Sequence, residues 1–155
     1  MGLAEAGTIE AVTVNKSGNT LTLSDALTCA SFTGTLGTMD PNGQTVTTTG
    51  ACGWASGFDF ANAADAMNGC SWVVGGNWTG DSQTMRATAE WFLTVTGTAV
   101  ATVCDFAYCN ALNGTQIDAD DRTCTNSGNN KHIDFIVRPF IGYIQRSRYH
   151  IQGAL

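Results

Sequence analysis

"MRATAEWFLTVTGTAVATVC", residues 85–104, carries the clearest structural signal in the chain. Ala87, Ala89, Trp91, Leu93 and Val95 fall on one side, and Arg86, Thr88, Glu90, Thr94 and Thr96 on the other, with Phe92 the exception. Alternation of period two marks a β-strand with one face buried. Gly97 interrupts it, and "TAVATVC" (98–104) reads as a second strand.

The same pattern extends outward. "TIEAVTV" (8–14) and "TLTLS" (20–24) alternate around "NKSGN", which has turn chemistry, so the pair reads as a hairpin. Threonine-rich pieces such as "TCASFTGTLG" and "QTVTTTG" follow, with "DPNG" (40–43) as a strong turn. "SGFDFANAADAMNGC" (56–70) is the one segment that suits a helix, with Ser56 as cap, Asp59 three residues on and Gly69 at the end. Phe60, Ala64 and Met67 would share its face. In the C-terminal "HIDFIVRPFIGYIQRSRYHIQGAL", Pro139 confines its strand to an edge, a bulge or a bend. Many short strands between Gly-rich turns predict an all-β fold: an antiparallel β-sandwich or barrel with at most one short helix near residues 57–68. No internal repeat or linker stands out, so residues 1–155 read as one β-rich domain.

The chain is 43% hydrophobic but only 13% charged, against a usual value of roughly 25%. A surface so short of charge is either covered with hydroxyls or hidden against neighbours, which favours self-assembly. The net charge of −6 argues against nucleic acid and anionic membranes as partners. Up to Met85 the only base is Lys16, set against Glu5, Glu10, Asp25, Asp40, Asp59, Asp65 and Asp81. Arg86, Arg122, Lys131, Arg138, Arg146 and Arg148 all follow; interleaving of the two halves in one fold, the plainer reading, would cancel this asymmetry, and head-to-tail pairing between copies is the alternative. The start lacks a signal-peptide pattern, and no apolar run approaches the length of a transmembrane helix.

The six cysteines are Cys29, Cys52, Cys70, Cys104, Cys109 and Cys124, an even number with no CxxC pair. This reads as a disulfide set. Cys109 with Cys124 would clamp the polar loop "CDFAYCNALNGTQIDADDRTC" (104–124) at its base, a closure worth about 3 kcal/mol. Cys52 and Cys70 form a second natural pair, and Cys104 would bridge to an earlier strand. A zinc set of Cys104, Cys109, Cys124 and His132 can be written, but the close ligand pair of a zinc knuckle is missing. Asn113, Asp118, Asp120 and Asp121 offer oxygen ligands of the kind calcium uses, without EF-hand spacing. A solvated acidic turn beside Arg122 is the plainer reading.

Catalytic groups are scarce. His132 and His150 are the only histidines, and His132 with Asp134 has no nucleophile motif beside it. Nucleotide-binding glycine motifs are absent, so no cofactor, resident metal or enzymatic activity is expected. Trp54, Trp72 and Trp78 would serve as sugar platforms if exposed, whereas Trp91 is core by strand parity. Arg138, Phe140, Tyr143, Arg146, Arg148, Tyr149 and Leu155 combine basic and aromatic side chains of the kind enriched at protein interfaces.

These features predict a structural, self-assembling subunit: a virion capsid-decoration (cement) or tail protein, or a subunit of an extracellular filament. Its partners would be copies of itself and a major capsid or tail protein, and its place the virion or the extracellular space. The alternative is a secreted, disulfide-stabilised carbohydrate-binding module.

Overall fold

The computed structural model describes residues 9–61, 65–120 and 123–135. Its backbone winds as a parallel β-solenoid. The first turn is one long strand, β1 (Ile9–Thr22), and the second another, β2 (Leu27–Asp40). The third turn splits into β3 (Thr45–Thr48), β4 (Cys52–Trp54) and β5 (Phe58–Phe60). The fourth comprises β6 (Ser71–Val74), β7 (Trp78–Asp81) and β8 (Thr84–Met85); the fifth β9 (Trp91–Val95), β10 (Ala99–Thr102) and β11 (Asp105–Phe106). The sixth holds β12 (Cys109–Asn110), β13 (Ile117–Asp118) and β14 (Thr125–Asn126), and the last described turn holds β15 (Ile133–Asp134).

Every pairing is parallel and joins a strand to its counterpart one turn away. The first face stacks β2, β3, β6, β9 and β12. The second stacks β2, β4, β7, β10, β13 and β15. On the third, β5 pairs β2, and β8, β11 and β14 form a separate ladder. This corrects the antiparallel sandwich or barrel. A sheet buried on both sides gives continuous apolar runs, whereas a solenoid sheet has one side on the core and one on solvent. It therefore alternates as an antiparallel sheet does. The two strands of residues 91–102 accordingly never pair with each other: β9 stacks on β6 and β10 on β7.

Three further expectations are corrected. Residues 8–24 form no hairpin, because β1 runs through the supposed turn, absorbs it as a bulge between Asn15 and Thr20, and lies along β2. Gly37 has φ 107°, and a Cβ there would strike the Lys16 carbonyl, so only glycine lets the bulge cross. The helix near 57–68 is replaced by β5 and a turn over 65–69, and no helix occurs among the described residues. Phe60 and Met67 are buried, but as strand and turn residues. An internal repeat does exist: the step between stacked residues runs from 16 (Ile117 to Ile133) to 26 (Cys52 to Trp78).

No disulfide joins any of the six cysteines, which removes the expected bridges and the clamped loop. Cys109 stacks on Trp91 in the first face, while Cys124 lies by the third, its Sγ accepting from the Cys104 N–H at 3.3 Å. Cys52 belongs to the second face and Cys70 precedes the first. Residues 104–120 are not a polar loop but a stretch of solenoid containing β11, β12 and β13.

The interior is filled by alternating bulk. One inward column runs Phe32, Cys52, Trp78, Ala99, Ile117, Ile133; its neighbour runs Gly34, Trp54, Gly80, Ala101. From the second to the fourth turn, large side chains in these columns thus lie against small ones. A Cβ on Gly34 would enter the Phe58 ring, and one on Gly80 would sit 2.8 Å from the Trp78 ring. Trp54 is the hub, with Trp72, Phe60 and Trp78 edge-to-face at centroid distances of 4.8, 5.0 and 5.1 Å. Such pairs contribute about 0.5–1.5 kcal/mol beyond their burial. Trp91 Nε1 donates to the Ala107 carbonyl at 3.0 Å, whereas Nε1 of Trp54, Trp72 and Trp78 have no hydrogen-bond acceptor.

Candidate functional site

Most of the groups singled out in the sequence do not converge. Trp54, Trp72 and Trp78 are at most 1% exposed, so none offers a ring to a sugar. Cys104, Cys109 and Cys124 are divided between faces, and His132 Nδ1 lies 3.0 Å from the Ala111 carbonyl. Among the described residues no three metal-ligating side chains gather, for zinc or for calcium. Asp118 Oδ1 instead accepts from the Asp120 N–H at 3.2 Å, a local turn contact. Asn113 lies in the turn that follows β12, and Asp121 and Arg122 lie outside the described residues. Asp134 faces outward in β15. Arg138, Phe140, Tyr143, Arg146, Arg148, Tyr149 and Leu155 also lie outside the described residues, as does His150.

Five of the six thiols, all but Cys124, are buried. Loss of hydration on burial pushes Cys70 and Cys104 up to about 12, and Cys29, Cys52 and Cys109 move in the same direction. Nucleophilic and metal-binding thiols need the opposite shift.

What the fold does build is a groove on the outside of the second face, about 260 Å³ in volume. Thr33, Gly53 and Thr79 are consecutive members of one outward column in β2, β4 and β7. The missing side chain at Gly53 opens the space between two threonines. Trp54 and Ala55 complete an apolar lining, and Asp81 brings a carboxylate. Ser82 Oγ donates to Asp81 Oδ1 at 2.9 Å.

Beneath the groove, Gln83 joins its rims. Its buried Nε2 donates toward the carbonyls of Asp81 at 2.7 Å and of Ala55 and Phe58 at 3.0 Å. The amide thus ties the corner of the third turn to the end of β7. Beyond Thr79 the same column continues through Val100, which is exposed, to Asp118 and Asp134. The outward column of the first face, Thr28, Thr47, Val73 and Thr94, carries no charge.

Sequence reading did not find this groove. "CGW" (52–54) placed against "FTG" (32–34) and "WTG" (78–80) would have set Gly53 between two threonines, but that alignment requires the repeat. Compared with protein-family models, curated proteins and solved structures, the chain matches none.

Both ends of the solenoid are open among the described residues. β1 pairs only with β2, and β15 only with β13. The inward side chains at these ends, Val12 and Val14 at one and Ile133 and Phe135 at the other, are only partly buried.

Proposed function

We propose that the chain is a structural subunit that acts by assembly, as a virion decoration or tail protein or as a subunit of an extracellular filament. The observation that carries this reading is the pair of ends that are open among the described residues. Each presents a row of unpaired strand edges above an incompletely covered apolar core, which repeat proteins close with polar capping turns when they remain single. The two ends of a parallel solenoid differ, so contact between them is heterologous and propagates from copy to copy. Strand addition at such an edge supplies backbone hydrogen bonds, and the half-buried valines, Ile133 and Phe135 supply apolar area. The low charge and the uncharged first face support the same reading. A carbohydrate-binding role based on Trp54, Trp72 or Trp78 has no exposed ring to support it.

Light scattering with size separation, followed by electron microscopy of the full chain, tests the proposal. Filaments or large particles are expected, growing with concentration. Val12→Lys with Val14→Asp should abolish growth while far-ultraviolet circular dichroism remains that of a β protein. A monodisperse wild-type monomer up to millimolar concentration overturns the reading.

A further inference from the structure

We infer that the groove over Gly53 receives the basic C-terminal segment, residues 136–155, of a neighbouring copy. The inference rests on the assembly reading above and names one of its contacts.

Three observations lead to it. The first is the chemistry of the groove. Its lining, from Thr33, Gly53, Trp54, Ala55 and Thr79, is mostly apolar, and Asp81 joins it with a carboxylate. An apolar trough with a carboxylate at its edge suits an arginine, whose stem covers apolar surface while the guanidinium pairs with the acid.

The second is charge. The outward surface of the second face bears Asp81, Asp118 and Asp134, and neither described salt bridge engages any of them. Residues 136–155 contain Arg138, Arg146 and Arg148 and no Asp or Glu. These are complementary surfaces within one sequence, so two copies meet with opposite signs.

The third is position. β15, the last described strand, belongs to the second face, so residue 136 begins on the face that carries the groove. In a head-to-tail stack that face continues onto the next copy. Its β1 follows, then Thr33, Gly53 and Thr79 in successive turns. With strands roughly 4.8 Å apart, Gly53 lies about 15 Å beyond the junction, whereas twenty extended residues reach roughly 60 Å.

The test uses full-length variants and reads the concentration at which half the protein is assembled. Gly53→Val fills the groove. A Cβ at 53 would lie 3.2 Å from Thr79 Oγ1, a side-chain atom free to rotate, so the fold should tolerate it. Asp81→Arg reverses the rim charge on an exposed residue, and Arg138→Asp, Arg146→Asp and Arg148→Asp together reverse the segment. Each change should raise the half-assembly concentration roughly tenfold or more, and combining Asp81→Arg with the reversed segment should recover part of the loss. Circular dichroism of each variant confirms that it is folded. If wild-type protein assembles and Gly53→Val and Asp81→Arg assemble equally well, the inference is overturned while the assembly reading stands. It is also overturned if the variants lower the melting temperature without changing particle size, which marks docking on the segment's own chain. A wild-type protein that never assembles overturns both.

Discussion

At the scale of single residues, the fold's demands are clearest where a side chain cannot be exchanged. Gln83 offers two amide protons to three carbonyls on two turns. Gln83→Ala removes these bonds and leaves the Phe58 carbonyl contact, the buried one, without its donor. The expected cost is about 2–3 kcal/mol in chemical denaturation, since buried groups lose hydration as well as their bond. The thiols make a second prediction. Cys70 and Cys104 titrate near 12 in the folded chain, against an ordinary value of 9.0. Between those values the unfolded chain gives up protons that the folded chain retains, so stability falls as pH rises. It is unaffected below about 9 and drops by about 1.4 kcal/mol per pH unit for each thiol above it. Urea unfolding at pH 8, 9.5 and 10.5 measures the slope, and Cys104→Ala should make it shallower. Side-chain parity was readable at this scale: Trp91, Leu93 and Val95 are buried as the alternation at 85–96 requires. Ala89 departs from it, because residues 86–90 form a corner before β9 rather than part of the strand.

For elements, the sequence indicated where strands lie more surely than what they pair with. Alternation reports one wet side and one dry side, and carries no direction. "NKSGN" resembles a hairpin turn in composition, yet as a bulge in β1 it uses the glycine for the same backbone reason, with Gly18 at φ 87°. The repeat was hidden for a packing reason. Stacked inward positions hold Phe32, Cys52, Trp78 and Ala99, so equivalent residues are dissimilar by necessity, and corners of unequal length blur the period. The groove was hidden with it, since Gly53 gains its meaning from Thr33 and Thr79 in other turns. Inward and outward glycines should therefore respond differently. Gly80→Ala pushes a methyl group to 2.8 Å from the buried Trp78 ring and should cost about 1–3 kcal/mol. Gly53→Ala, facing solvent, should lie within about 0.5 kcal/mol of wild type. The difference in urea midpoint between these two variants checks the assignment of face.

The molecule as a whole is stabilised between neighbouring turns, so its weakest points are the turns with one neighbour. β1 is mostly exposed, with Ile9 and Leu21 on its surface. If copies stack end to end, the terminal turns gain a neighbour and the folded state is favoured by mass action. The melting temperature of wild-type protein should then rise with concentration, and the rise should vanish in the Val12→Lys, Val14→Asp variant. Differential scanning at micromolar and submillimolar concentrations reads this directly. A melting temperature independent of concentration in protein that assembles would place the contact away from the ends.

The alternation of bulk along the interior also constrains how such a chain can change length. Removing the fourth turn alone would bring Cys52 against Ala99, small against small, and open a void in the column. Removing the third and fourth together would set Phe32 against Ala99 and restore a fit. In the neighbouring column the same deletions act the other way, setting Trp54 against Ala101 in the first case and Gly34 against Ala101 in the second, so neither change of length keeps both columns filled and the packing fixes the number of turns.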